Sequence, residues 1–302
     1  MVAGRSSSPA PQRLGAGIDI VIVSYRSREL VRSCLESLRR FGPGGEARIF
    51  VVDNASDDGT VELIRSEFPE VELIANTRNM GFSAANNLAI RRGSARYVLA
   101  LNPDTRVTSG ALDRLVQLMD NQAEVGICGC RLVREDGTFD HAAKRSFPTV
   151  AGAAGHFLGI GRLPRSPRRL SQYRAPDVVA GPVDAINGAF MLMRRAALDE
   201  VGLFDESFWM YMEDLDLCYR LREAGWTTWY EPSVAVTHVK GGSSGPIRSP
   251  RLNYAFHYGM YRFYRKHYAA RSNGVVNALV YLGIIGKLLV SVARAAMRSR
   301  SL

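Results

Sequence analysis

Three groups of side chains along this 302-residue sequence have the types and spacing to do chemistry. The first is Asn102-Pro103-Asp104, which ends the apolar run Tyr97, Val98, Leu99, Ala100 and Leu101. So short a run with polar bounds reads as a strand buried on both faces, which puts Asn102 and Asp104 at a sheet's carboxyl edge, where open α/β sheets bind ligands. Asp104 there offers a hard oxygen ligand for a divalent cation, Mg²⁺ or Mn²⁺, bridging phosphate oxygens. Asn-Pro-Asp is also good turn chemistry, and taken alone the turn is the better reading. The second group is Glu213, Asp214 and Asp216, directly after the aromatic run Phe208, Trp209 and Tyr211. Flat rings pack against the C–H faces of a sugar while a carboxylate acts on its hydroxyl. Acids at the start of a helix also complement its dipole, and the residues alone leave those two readings even. The third is His238, at a strand end. A lone His there is more often structural, but it becomes a plausible second ligand if it shares a cation with Asp104.

These groups need a frame. Apolar runs at 18–23, 49–52, 71–75 and 97–101 alternate with helical patterns, the first helix capped by Ser27 and carrying Leu30, Val31, Cys34, Leu35 and Leu38. That alternation implies an α/β protein with a parallel sheet and right-handed crossovers. The strands exit into Ser24-Tyr25, Asp53-Asn54, the loop 76–81 and Asn102-Asp104, which should converge on one ligand. Asp53 can accept the ring N3–H of a uracil or thymine, and Tyr25 offers a face for the base. Standing alone, Asp53 is as good a turn residue; four strand ends together favour the ligand. Further on come a helix at 109–121, strands at 125–130 and 184–195, a helix at 213–224, and short strands at 228–231 and 235–237. Gly188 would let a ligand approach the backbone. The segment 162–174 holds five arginines and two prolines. It reads as a solvated basic loop before it reads as a clamp for a diphosphate.

Composition, with 46% hydrophobic and 23% charged residues, suits one large or two fused globular units. The net charge of +10 is localised: from Pro232 on there is no Asp or Glu, and eleven of the 39 basic residues lie there, leaving 28 against all 29 acids. A basic tail on a neutral body favours an anionic membrane surface over nucleic acid as partner. Residues 1–17 read as a disordered leader with no secretory signal. Four cysteines without a C-x-x-C pair fit a reduced cytoplasmic setting. The stretch 275–286 is nearly all apolar, but Lys287 interrupts it short of the ~20 apolar residues a spanning helix needs. With Lys287, Ser291, Arg294 and Arg298 on one helical face, the tail is expected to lie in the membrane interface.

In order, the chain carries VIVSY at 21–25, VVDNASDDGT at 51–60, NMGFSAANN at 79–87 and LNPDT at 101–105, then NGAFML at 187–192, FWMYMEDLDLCYR at 208–220 and THVKGGSS at 237–244. With these it resembles the family 2 glycosyltransferases of the GT-A fold, and among them bacterial cell-wall rhamnosyltransferases acting on a polyprenyl-diphosphate-linked sugar. The resemblance implies a Rossmann-like, mainly parallel sheet with helices on both faces, plus C-terminal membrane-associated helices. It implies a nucleotide-sugar-binding half at 18–105, an acceptor-binding and catalytic half at 106–245, and a basic tail at 246–302. Donor contacts would come from Ser24, Tyr25, Asp53, Asn79, Gly81, Asn86, Asn102 and Asp104, and acceptor contacts from Gly188, Trp209, Tyr211 and Glu213. Asp214 matches the family's base, and Asp104 with His238 its Mg²⁺ or Mn²⁺ ligands. Asn102 stands where the family's Asp-x-Asp motif has its first Asp, so the site has one negative charge fewer.

The implied reaction is an inverting transfer, of L-rhamnose from dTDP-rhamnose, to a polyprenyl-diphosphate-linked N-acetylglucosamine. The implied place is the inner face of the plasma membrane, peripherally bound, with a homodimer allowed. The alternatives are another sugar from a uridine-diphosphate donor, such as galactofuranose, or a non-catalytic sugar-binding relative. A sugar-nucleotide pyrophosphorylase would want a Gly-rich basic loop after the first strand, where this chain has Ser24-Tyr25-Arg26.

Overall fold

The computed structural model describes residues 15–148, 179–239 and 249–299. Its first half is a strand–helix alternation: β1 (Gly15–Ser24), α1 (Arg28–Phe41), β2 (Ala47–Asp53), α2 (Thr60–Glu67), β3 (Glu72–Ala75), α3 (Phe82–Arg92) and β4 (Ala95–Leu101). Then come β5 (Thr105–Arg106), α4 (Ala111–Asn121), β6 (Val125–Val133), β7 (Lys144–Arg145), β8 (Gly181–Pro182), β9 (Ala185–Ile186) and β10 (Phe190–Arg194). The chain continues through α5 (Arg195–Val201), α6 (Glu213–Glu223), β11 (Thr227–His238), α7 (Pro250–His267) and α8 (Gly274–Ser299).

The main sheet runs β3-β2-β1-β4-β10-β6-β11-β5. Strands β1 to β4 are parallel, as are β6 and β11, whereas β10 lies antiparallel between β4 and β6. Helices cover both faces, and the sheet's alternation divides the core accordingly. Ile20, Ile22, Leu99 and Leu101 pack with Val31, Leu35 and Leu115 on one side. Val21, Val52, Val98 and Ala100 pack with Ala85, Ala89 and Leu215 on the other. At the far edge from the strand exits, the fully buried Asp19 takes 2.9 and 3.0 Å ion pairs from Arg195 and Arg48.

Several expectations need correction. The first strand starts at Gly15, where it pairs with Ala95, so it reaches into the span assigned to a leader; residues 1–14 lie outside the described residues. The segment 162–174 lies outside them too. Ser27 stands at the N-cap position of α1 without a capping bond: its hydroxyl meets Ser24 Oγ at 3.0 Å, and Asp58 accepts from Arg28 N at 3.0 Å instead. The strand expected at 184–195 divides into β9, in a separate two-stranded sheet with β7, and β10. The two short strands at 228–237 are one strand, β11, with a register shift between Glu231 and Ala235 that mimics a break in the sequence pattern.

The tail differs most. Lys287 interrupts the apolar run but not the helix, and α8 runs for 26 residues. Its stretch Gly274–Arg294 is, by length and composition, long and apolar enough to cross a membrane. The face bearing Ser291 does not point into solvent. Ser291 donates to Asn253 of α7 at 2.9 Å, Tyr264 of α7 donates to Asn277 at 2.7 Å, and Ile284 is buried. The opposite face exposes Val275, Leu279, Leu282, Ile285, Leu289 and Val292.

Candidate active site

The site grows from the carboxyl edge of the sheet. Ser24 pairs with Asp53, Asp53 with Ala75, and Ile22 with Leu101, so the exits of β1, β2, β3 and β4 stand in a row. Because β10 runs antiparallel, its start lies at the same edge, with Phe190 beside Leu101. Ala189 O accepts from Asn102 N at 3.0 Å, tying the two exits together. β11 ends there as well, with His238 paired to Thr105.

Asp53 is buried, and its Oδ2 is occupied by Ser56 N at 2.8 Å, but its Oδ1 has no hydrogen-bond partner. An orphaned buried carboxylate oxygen is costly, so this atom is set to accept from a ligand. Tyr25 beside it is 40% exposed, with the Arg26 guanidinium 5.4 Å from its ring centre. Asn54, at the same strand exit, holds the next loop: its amide donates to Gly81 O at 3.1 Å, and its oxygen accepts from Asn76 at 3.0 Å and Met80 N at 3.3 Å. Asn79 accepts from Gly81 N at 2.9 Å and so shapes this loop. Gly81 has φ +87°, and a Cβ there would lie 2.3 Å from Trp209 O, so only glycine lets this loop touch the aromatic run. Asn86 is buried on α3, its amide bonded to Phe82 O at 2.9 Å and its oxygen without a partner.

Asp104 and His238 come together as expected. His238 Nε2 lies 3.5 Å from Asp104 Oδ1, and both side chains are buried. On the other side of the ring, Nδ1 lies 3.3 Å from Asp140, a residue with no local sequence signal. Burial would lower the histidine's pKa, but the two carboxylates outweigh it and raise it to about 9.

The second centre is at the start of α6. Tyr211 and Met212 both have left-handed backbone, φ 71° and 73°, an uncommon pair for non-glycine residues and one associated with functional turns. This turn aims Asp214 at the start of β10: its Oδ2 accepts from Gly188 N at 3.0 Å and from the Arg145 guanidinium. Arg145, also missed from sequence, is brought in by the β7–β9 pairing and donates to Ile186 O at 2.9 Å. Asp216, by contrast, is bound by Arg220, Lys266 and His267, each at 2.8 Å, which makes it a structural acid. Glu213 is buried and its Oε2 has no partner. Burial first, then the adjacent Asp214 carboxylate, push its pKa well above the usual carboxylate range. Trp209 is half-buried beside these acids, its ring 4.2 Å from the Arg251 guanidinium.

The arrangement offers an unsatisfied acceptor and an aromatic face for a base, a carboxylate–imidazole pair, and an oriented carboxylate across the same edge. Against known proteins, the family model described as Glycosyl transferase family 2 matches residues 19–202. An N-acetylglucosaminyl-diphospho-decaprenol L-rhamnosyltransferase of Mycobacterium tuberculosis is 32% identical over 254 residues, 80% of this chain and 81% of that one. The rhamnosyltransferase WbbL of Escherichia coli K12 is 29% identical, covering 72% of this chain and 82% of its own. Among solved structures, a mannosyltransferase of Pyrobaculum calidifontis in complex with GDP-Man and Mn²⁺ superposes with a TM-score of 0.58 at 16% identity, over 96% of this chain and 79% of that one. The mainly parallel sheet, the strand exits and the family match agree: this is a GT-A-fold glycosyltransferase, and the chain belongs to glycosyl transferase family 2.

Proposed function

We propose that the chain moves L-rhamnose from dTDP-rhamnose to a polyprenyl-diphosphate-linked N-acetylglucosamine in cell-wall or surface polysaccharide synthesis. The single observation that carries this reading is the placement of Asp214 at the edge that also holds Asp53 and Asp104, oriented by Gly188 N and Arg145. The names of the two rhamnosyltransferases support the choice of sugar and acceptor.

In this reading Tyr25 stacks on the base, Asp53 Oδ1 accepts its N3–H, and Asn102 binds the ribose. Asp214 takes the proton from the acceptor hydroxyl as that oxygen attacks the anomeric carbon, and the nucleotide diphosphate leaves from the opposite face. No covalent enzyme intermediate forms. Asp104 and His238 would hold a Mg²⁺ or Mn²⁺, a bound ion taking the place of the proton that the two carboxylates otherwise keep on the ring. A bound cation supplies neutralisation of the charge on the departing diphosphate. Among the described residues no group of three or more His, Cys, Asp or Glu side chains could hold a metal by itself, so phosphate oxygens and water would complete the shell. The Mn²⁺ in the mannosyltransferase structure supports this cation.

The tail would attach the enzyme to the inner face of the plasma membrane through the apolar face of α8, where its substrate's lipid resides. The deciding experiment is transfer by purified protein from a panel of nucleotide sugars to a short-chain polyprenyl-diphosphate N-acetylglucosamine. Preferred turnover of a uridine-diphosphate hexose would overturn the rhamnose assignment, and none with any donor would overturn the reaction.

A further inference from the structure

α7 carries Arg251, Tyr254, Tyr258 and Arg262 at spacings of three, four and four, which places them along one helical face. Tyr254 is 58% exposed, and its ring stacks on that of Tyr258 at 5.7 Å with an interplanar angle of 12°. The Arg251 guanidinium sits 4.2 Å from the Trp209 ring centre, and that of Arg262 lies 6.0 Å from Tyr258. Other cations of this region are matched: Lys266 pairs with Asp205 and Asp216, and Arg271 with Glu223. Arg251 and Arg262 pair with no carboxylate among the described residues, and the buried Arg262 Nε has no hydrogen-bond partner.

Across from this face stand Ser207, Phe208 and Trp209, enclosing a groove of about 230 Å³ that also takes in Arg251, Tyr254 and Tyr258. The groove ends at the left-handed turn before Glu213. A Cβ on Gly259 of α7 would lie 2.9 Å from Tyr211 O, so helix and turn are in close contact. Behind α7 lies α8 with its bare apolar face.

The Arg251 guanidinium at one end of the groove, with stacked aromatic rings running on from it toward Arg262, suits an anion joined to an unsaturated hydrocarbon. Guanidinium forks bind phosphate oxygens in pairs, and ring faces pack against isoprenoid carbons. We propose that this groove takes the diphosphate and first prenyl units of the lipid-linked acceptor, presenting its sugar to Asp214. The inference rests on the acceptor class proposed above. It adds a site for the lipid and phosphate portion, separate from the residues that handle the sugars. The anion is the substrate's own diphosphate, not the headgroups of bulk lipid.

The test is binding of farnesyl diphosphate to the full chain in detergent, with farnesol and inorganic diphosphate as controls, for wild type, Arg251→Gln/Arg262→Gln, and Arg251→Lys/Arg262→Lys. The Gln pair should weaken farnesyl diphosphate about tenfold or more, the value of a charge-assisted hydrogen bond, and leave farnesol unchanged. The Lys pair, which keeps the charge but loses the fork, should fall between wild type and the Gln pair. In turnover, the Gln pair should raise KM for a prenyl-diphosphate acceptor and leave kcat, donor KM and recovery on anionic vesicles within about twofold. Unchanged farnesyl diphosphate affinity overturns the proposal, as does equal loss on an octyl N-acetylglucosaminide without phosphate, or loss that follows vesicle recovery. Absence of turnover in wild type would refute the acceptor reading instead, and the binding arm would still decide the groove.

Discussion

Asp140 Oδ2 lies 3.3 Å from His238 Nδ1, behind a ring whose Nε2 faces Asp104 at 3.5 Å. A carboxylate behind a histidine fixes its orientation and tautomer for a ligand in front, and removing such a partner costs about 10- to 100-fold in metal affinity. Asp140→Ala should therefore weaken Mn²⁺ binding in the presence of nucleotide by about that factor, read from the electron paramagnetic resonance of free Mn²⁺. Affinity equal to wild type would reduce Asp140 to a packing residue.

Asp214 and Asp216 separate cleanly by environment. Asp214→Asn should lower kcat by about 10²- to 10⁴-fold, the usual worth of a positioned base, while donor affinity measured by calorimetry stays. Asp216→Asn, losing charge opposite Arg220, Lys266 and His267, should lower the melting temperature more than kcat of the folded fraction. The reverse pattern would exchange their roles.

Glu213 predicts a pH-dependent stability. Its folded pKa is raised, so between the ordinary glutamate value, about 4.3, and its raised value the folded chain holds a proton that the unfolded chain has released. Stability therefore falls as pH rises through that window. Glu213→Gln should melt with wild type near pH 4 and above it near pH 8, by differential scanning fluorimetry. A pH-independent difference would show that the group ionises at no cost.

Asp19 offers a test away from the site. Removing it by Asp19→Ala leaves Arg195 buried without its counter-charge, which typically costs about 3–5 kcal/mol. Chemical denaturation should show that loss, and nucleotide affinity of the protein that remains folded should not change.

Glutamates on the outer face of α8, in Leu282→Glu/Leu289→Glu, should release the protein from membranes with retention of turnover on a water-soluble acceptor. Undiminished membrane recovery, or none in wild type, would overturn attachment through this face.

The strand exits were readable because parallel strands buried on both faces are continuous apolar runs, and the polar residues that break off each run mark its carboxyl end: hence Ser24, Asp53, Asn102 and Asp104. Glu213, Asp214 and Asp216 stood out after an aromatic run, but the residues alone left a sugar site and a helix-dipole role even, and only the resemblance singled out Asp214. Asp140 and Arg145 were not readable, since Asp140 is carried to the site by its return onto Leu132 of β6 and Arg145 by the β7–β9 pairing, and no local periodicity reports a contact with residues 69 or 98 positions away. The helical run through Lys287 was legible, whereas the packing of Ser291 and Asn277 against α7 was not, because periodicity does not say which face meets a neighbouring helix.

β10 lies against β4 from Phe190 on Leu101 to Arg194 on Tyr97, and this has a consequence for synthesis. A ribosome that has delivered the first hundred residues has made four strands and three helices, yet the flank of β4 must wait for about ninety more. Until then Tyr97 to Leu101, all buried in the finished protein, present an apolar strand edge able to pair with any neighbouring chain. The nascent chain is thus most prone to aggregate midway through translation. Slow codons placed before residue 190 should lower the soluble yield, and the same codons placed after residue 240 should leave it unchanged.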